Sequence, residues 1–138
     1  MNDDEFRLLA SFRTLLREFH SFSETAAQEN GLTSLQYQTL LAIKAQPDLD
    51  PVTITALAQM LIIKHNSAVG LVDRIEQLGL VTRCHPQTDR RSVVVKLTPR
   101  GNRMVDLLAT RHRQELQRVS RMLAKHARRF AAPIAEVH

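Results

Sequence analysis

The sequence predicts a mainly α-helical fold with one small β-hairpin, and three observations lead to that class. Apolar residues recur at steps of three and four over most of the 138 residues, which is the spacing of one buried helix face. Near residue 93 the period changes to two, as it does in a strand. Glycine, proline and hydroxyl residues stand where each helical pattern ends or begins. We therefore expect helices joined by short turns, with a single hairpin late in the chain.

The first helix is expected from Glu5 to about Glu29. Its apolar residues follow at alternating steps of four and three, a heptad seam; they are Leu8, Phe12, Leu15, Phe19, Phe22 and Ala26. Four of the five phenylalanines lie in this helix. Because so aromatic a stripe needs more apolar surface than a small domain offers, we expect a partner helix to cover it. Packing inside one chain is the alternative.

Two shorter helices are expected next. Asn30-Gly31 ends the first helix, and Thr33 or Ser34 can cap the second. Thr53 is the expected cap of the third helix, over about residues 54–61, which a tight turn follows.

A fourth helix follows the turn, with Asn66 as its expected cap and Gly79 just past its end. Its buried stripe consists of Ala68, Leu71, Val72, Ile75 and Leu78. Its opposite face consists of Ser67, Gly70, Asp73, Arg74 and Gln77. A short helix, a tight turn and a capped helix together form a helix-turn-helix.

Residues 80–85 and 93–97 are extended runs, and ProGlnThrAspArgArg, residues 86–91, joins them. A helix-turn-helix followed by a hairpin with a basic tip is a winged helix-turn-helix. The fold class is therefore mainly α with a small β-hairpin wing.

The last helix is expected to have Thr98 as its cap and Pro99 as its first residue. Gly101 is expected to weaken its first turn. Its seam consists of Val105, Leu108, His112, Leu116, Val119, Leu123, His126 and Phe130. Because the middle of the chain is too small to cover this seam, the two ends are expected to form one dimerisation layer. The chain is then a single domain, with dimerisation helices over about residues 1–31 and 102–138 and the winged helix-turn-helix over about residues 32–101.

The charge is unevenly distributed along the chain. The net charge is +5, yet residues 1–50 hold four Lys or Arg against eight Asp or Glu. Residues 64–103 hold eight basic side chains against three acidic ones, and residues 104–138 hold seven against three. The positive excess begins with the fourth helix and the hairpin, so a polyanion such as double-stranded DNA is the expected partner there.

The sequence contains no catalytic or metal-binding motif. The six histidines form no HxxxH or HExxH pair and the four glycines form no phosphate loop, so neither an enzyme nor a cofactor is expected. His112 and His126 lie on the seam, where a hydrogen-bonded histidine is expected rather than a metal ligand. Cys84 is expected to pack within the hairpin; a redox role is the alternative, since Arg83 and His85 flank it.

The segment MNDDEFRLL at the N-terminus is acidic where a signal peptide is basic. No run approaches the ~18 apolar residues of a membrane span. A cytoplasmic protein without a membrane partner is therefore expected.

Three segments resemble the multiple antibiotic resistance regulator (MarR) family. Residues 89–101, AspArgArgSerValValValLysLeuThrProArgGly, are similar to its DxRxxxxxLTxxG signature. Residues 71–81 and 32–41 resemble the end of its recognition helix and its second helix. The resemblance implies a homodimeric transcriptional regulator, more often a repressor, on a palindromic operator. It also implies that the recognition helix enters the major groove, that a wing arginine enters the minor groove, and that a small phenolic or aromatic acid releases the DNA.

The expected DNA-binding residues lie in the fourth helix and the hairpin tip; they are Lys64, His65, Asn66, Ser67, Val69, Gly70, Arg74, Asp89, Arg90 and Arg91. The expected lining of an effector cleft is Arg17, Phe19, His20 and Tyr37, with simple packing as the alternative. Many family members have arginine where this chain has Gly70, so the family's base preferences are not carried over to this position. Gly70 also suggests an alternative function, a dimeric small-molecule-binding or protein-interaction module without operator specificity.

Arg90 is expected to enter a narrow, A/T-rich minor groove, with Asp89 pairing with an arginine to hold the loop. We predict that Arg90→Ala weakens operator binding by about 1–3 kcal/mol, as measured by gel shift at physiological salt. Unchanged affinity would exclude the hairpin tip from recognition.

Overall fold

The computed structural model describes residues 1–47, 52–85 and 93–131. In chain order its elements are α1 (Asp3–Gln28), α2 (Ser34–Lys44), β1 (Val52–Thr53), α3 (Ile54–Leu61), α4 (His65–Gln77), β2 (Val81–Cys84), β3 (Val94–Leu97) and α5 (Pro99–Ala131). The predicted class, mainly helical with a small β wing, is confirmed. Within the described residues, no helix combines the length and the apolar character that a membrane span needs.

Most helix boundaries are set by capping residues that can be predicted from the sequence. Thr33 and Thr53 each accept a hydrogen bond from a backbone N–H in the first turn of α2 and α3, as predicted. Gly31 and Gly79 have φ of +75° and +76° and close the ends of α1 and α4. Helix α1 begins two residues earlier than expected because Asn2 caps it in a reciprocal pair with Glu5.

The turn between α3 and α4 corrects one expectation. Asn66 does not cap α4, because Ile62 adopts the left-handed conformation at φ 56° and reverses the chain within three residues. The helix then starts at His65, and Lys64 occupies the cap position without a side-chain cap bond in the described structure. Left-handed backbone at a β-branched residue costs about 1–2 kcal/mol, and the Ile62 side chain is 91% exposed.

The wing is a three-stranded antiparallel sheet in the order β1-β3-β2. The predicted hairpin pairs Val81 with Leu97 and Cys84 with Val94. Strand β1 was not predicted, since two residues next to a cap carry no periodicity; it pairs Val52 with Val95. The half-buried Cys84 lies within the sheet, as expected for a packed thiol.

One core joins α2, α3, α4 and the sheet to the end of α1 and the start of α5. The two terminal seams pack partly against each other within one chain, because Leu15 of α1 and Val105, Leu108 and Val119 of α5 are buried. A second set of apolar side chains on the same helices stays exposed in the single chain; it includes Leu9, Leu16, Leu107, Leu116 and Leu123.

The packing requires a glycine at position 101. Helix propensity alone had predicted that Gly101 weakens the first turn of α5. A Cβ on Gly101 would lie 2.0 Å from the Leu80 carbonyl oxygen, which is backbone. That carbonyl also accepts the Thr98 N–H at 3.0 Å, so it cannot withdraw without losing this hydrogen bond. The start of α5 therefore lies directly against the backbone that follows α4.

We predict that Gly101→Ala lowers the free energy of unfolding by about 3 kcal/mol, the upper part of the range for overpacked sites, despite the better helix propensity of alanine. The matched control is Gly70→Ala, because an added Cβ there has nothing within 4 Å among the described residues. The control should gain about 1 kcal/mol. Urea unfolding of both variants tests this, and equal stabilities would show that the Leu80 backbone can yield.

Candidate nucleic-acid interface

Helix α4 presents a polar ridge between the helix-turn-helix turn and the wing. Ala68, Val72 and Ile75 are buried against the core. At about 100° per residue, the ridge opposite them consists of Asn66, Gly70, Asp73 and Gln77. Asn66 and Gln77 are exposed, whereas Gly70 and Asp73 are half-buried. A helix with one face in the core and an uncovered polar face can enter a groove.

The structure brings most of the predicted DNA-binding residues to the N-terminal half of this surface. Lys64, His65, Asn66 and Ser67 are exposed at the start of α4, where free N–H groups favour an anion. Val69 lies half-buried on the wing side of the ridge and Arg74 exposed on the other side. Asp89, Arg90 and Arg91 lie outside the described residues, so their role remains a prediction.

A cleft of about 500 Å³ lies between the start of α3, the start of α4 and the wing. Its lining combines apolar and polar side chains; it consists of Thr53, Ile54, Thr55, His65, Val69, Arg83 and Val93. Of these, only His65 and Val69 were expected to contact DNA. The hydroxyls at the start of α3 come close to α4 only through the tertiary fold.

A polar clamp between α4 and β2 was not predicted from the sequence. The Arg83 guanidinium forms an ion pair with Asp73, and its Nη2 lies 3.4 Å from the Val69 carbonyl oxygen. The Arg83 backbone N–H donates to Glu76 Oε2 at 3.0 Å. The available signal was an arginine on a strand ten residues after an aspartate on the exposed helix face, which is too weak to single out.

The predicted effector residues separate in the structure. Tyr37 is 4% exposed and stacks on His112, with ring centroids 4.9 Å apart and planes 13° from parallel. Phe19 meets the edge of the same imidazole at 6.1 Å. His20 is exposed and lies 6.3 Å from the Phe19 ring, and Arg17 is exposed on α1. Phe19 and Tyr37 thus both pack against His112, which was predicted only to lie on the seam of α5.

His112 joins α5 to the winged helix-turn-helix. Its Nδ1–H donates to the Leu108 carbonyl at 2.6 Å, so this nitrogen is satisfied as expected of a packed histidine. Its Nε2 is buried and has no hydrogen-bond partner among the described residues. Phe22 closes the aromatic cluster at 5.2 Å. The imidazole is thus packed among three aromatic rings, with one ring nitrogen lacking a hydrogen-bond partner among the described residues.

The core-packed α4, the tight turn before it and the three-stranded wing define a winged helix-turn-helix protein. Residues 30–92 match the model of the MarR family. This match covers most of the winged helix-turn-helix and confirms the resemblance seen in the sequence.

Two relatives in sequence bear the names of transcriptional regulators. The transcriptional activatory protein BadR of Rhodopseudomonas palustris is 29% identical over 90 residues, 65% of this chain and 51% of BadR. The putative transcriptional regulatory protein for the hcr operon of Thauera aromatica is 32% identical over 89 residues, 64% of this chain and 52% of that protein. This chain therefore spans about half the length of either relative, and both names are those of regulators rather than enzymes.

The fold is also similar to that of a mutant of MepR from S. aureus bound to an oligodeoxyribonucleotide. The TM-score is 0.69 at 19% identity, over 89% of this chain and 95% of the other. At this identity the likeness concerns the fold.

Burial of Tyr37 raises the pKa of its phenol above the usual 10.0, because the charged form is desolvated. The native protein then holds this proton more tightly than the unfolded chain. Below pH 10 both states keep the proton, and above it the stability falls until the native phenol also ionises.

The chain has one tyrosine and no tryptophan, so tyrosinate absorbance near 295 nm reports Tyr37 alone. We predict a native midpoint above pH 10.0 that returns to about 10 in denaturant. A native midpoint equal to that of the unfolded chain would show that the stacked ring is open to water.

Proposed function

We propose that the chain is a homodimeric, sequence-specific DNA-binding regulator of transcription. The observation that carries the proposal is the polar ridge of α4, which stays accessible while the opposite face of the helix is anchored in the core. The positive excess of residues 64–103 supports a polyanionic partner for this surface. The similarity in fold to a MepR mutant bound to an oligodeoxyribonucleotide supports DNA as that partner.

In the proposed complex α4 lies in the major groove. Its N-terminal residues Lys64 to Ser67 contact backbone and base edges, and Gly70 allows close approach at the centre of the ridge. Arg90 of the hairpin tip enters the adjacent minor groove. Arg74 lies beside the ridge, where it can reach a phosphate.

The exposed leucines of α1 and α5 support a dimer. Leu9 and Leu16 are seven residues apart, as are Leu116 and Leu123, so each pair lies on one face of its helix. Side chains of this size in a contiguous apolar surface mark an interface. A two-fold dimer would present two copies of α4 to half-sites about one helical turn apart, which makes the operator a palindrome.

We further propose that a small aromatic or acidic molecule controls DNA binding from the cluster of Phe19, Phe22, Tyr37 and His112. This cluster connects both long helices to α2, so a ligand there can bias their relative position. Release of a repressor is the expected direction. BadR is named as an activatory protein, so whether this chain represses or activates transcription must be measured separately.

Selection of bound sites from randomised DNA, followed by gel shift against excess unrelated duplex, tests the proposal. We expect a palindromic site whose binding survives the competitor. Binding that the competitor abolishes would support the alternative, a module that has kept the fold without operator specificity.

Titration with salicylate-like acids, followed by Tyr37 fluorescence, tests ligand control. An unchanged fluorescence signal together with unchanged DNA affinity would exclude ligand control.

We predict that Gly70→Ala, the variant that gains stability, loses operator affinity. A Cβ added to Gly70 would meet no heavy atom within 4 Å among the described residues outside the backbone of its own helix. The packing of the chain therefore does not explain why glycine stands here, although alanine would stabilise the helix by roughly 1 kcal/mol. Close approach to DNA explains it. If the operator affinity of the variant matches that of the wild type, the glycine is merely tolerated.

We predict that Leu116→Glu unfolds the protein, because a charge is placed in the middle of the proposed dimer seam. Leu116 is 48% exposed in the single chain, so the charge should be harmless to an isolated monomer. Leu41→Glu is the matched control, since Leu41 is 40% exposed on α2. Circular dichroism and sedimentation follow both variants. A helical, monomeric Leu116→Glu protein would show that the chain folds without its partner.

A further inference from the structure

Arg83 belongs to β2, but its polar contacts are with α4. Its guanidinium binds Asp73 and approaches the carbonyl of Val69, and its backbone N–H donates to Glu76. Residues 69, 73 and 76 are spaced by four and three, so one strand residue holds three points along one side of the helix. The relative position of α4 and the wing strand therefore depends on this side chain.

The same pair changes the charge of the polar ridge. Asp73 lies on the ridge, where an isolated carboxylate would face the DNA phosphates and be repelled. The Arg83 guanidinium compensates this charge from behind, with its side chain only 29% exposed. Its Nε is buried and lacks a hydrogen-bond partner among the described residues, so this face of the guanidinium is turned away from solvent. Because Asp73 and the Val69 carbonyl already engage Nη2, the guanidinium has little freedom to reach a phosphate.

We propose that Arg83 is a positioning residue for DNA recognition. It fixes the angle of α4 against the wing and compensates the Asp73 carboxylate, and it does not touch DNA itself. This inference rests on the proposed function, since it concerns how a DNA-reading surface is held in shape.

The test compares the wild type with the double variant Arg83→Met/Asp73→Asn, which has the same net charge and keeps the aliphatic stem of Arg83. Dissociation constants are measured for the selected operator and for an unrelated duplex over a range of salt concentrations. We expect operator affinity to fall at least about fivefold, which corresponds to the loss of roughly one base-pair contact. Affinity for the unrelated duplex and the salt dependence of binding should stay unchanged, because no phosphate contact is removed.

Two outcomes would overturn the inference. A decrease of about 0.9 in the slope of log K against log salt would mean that Arg83 itself neutralises a phosphate. An unchanged ratio of operator to unrelated affinity would mean that the clamp does not position α4. Asp73→Asn alone preserves the shape of the side chain and serves if the double variant does not fold; it should also lower the ratio.

Arg118→Met is the control, because Arg118 bridges Glu18 and Glu115 in the long helices, far along α5 from the wing. It should leave the ratio unchanged, and an equal fall in this control would overturn a specific role for Arg83. The wild type is measured first. If the wild type shows no preference for any duplex, the proposed function fails and the inference fails with it; a selective wild type with an equally selective double variant overturns the inference alone.

Discussion

The backbone at Gly79 and Leu80 is the contact on which the remaining geometry depends. The Leu80 carbonyl accepts the Thr98 N–H at 3.0 Å, and the Gly79 carbonyl accepts the Thr98 hydroxyl at 2.6 Å. Gly101 allows the first turn of α5 to lie against the same carbonyl of Leu80. These two residues end α4 and lead into β2. Helix α4, the wing and the long C-terminal helix are therefore oriented by one short piece of main chain.

Local chemistry explains why so much of the fold could be predicted. Thr33, Thr53 and Thr98 cap helices, and Gly31 and Gly79 end them, through contacts with residues at most five positions away. Such contacts join residues that are close in the sequence, so they can be predicted without knowledge of the tertiary fold. The alternation of the hairpin is equally local.

What could not be predicted depends on residues that are distant in the sequence. Gly101 looked like a defect because the carbonyl that excludes its Cβ is 21 residues earlier. Arg83 looked like one more basic side chain on the wing, and its ion pair with Asp73 appears only when β2 packs beside α4. The seam of α5 was assigned to a dimerisation layer, yet His112 turns inward to stack on Tyr37 while Leu116, four residues later, is 48% exposed. Periodicity locates a helix face but does not say which neighbour covers it.

Because α5 is long, a small rotation at its start moves its far end by a large distance. Its 33 residues span about 50 Å at 1.5 Å per residue, and its first turn lies against the backbone of Leu80. A rotation of about 5° at Pro99 would displace the far end by roughly 4 Å, slightly more than the 3.4 Å between successive base pairs. In the proposed two-fold dimer, this helix would act as a lever arm in each protomer. The distance between the two copies of α4 would then depend on the angle of α5, and an operator whose two half-sites are separated by one base pair too many would require the protein or the DNA to bend.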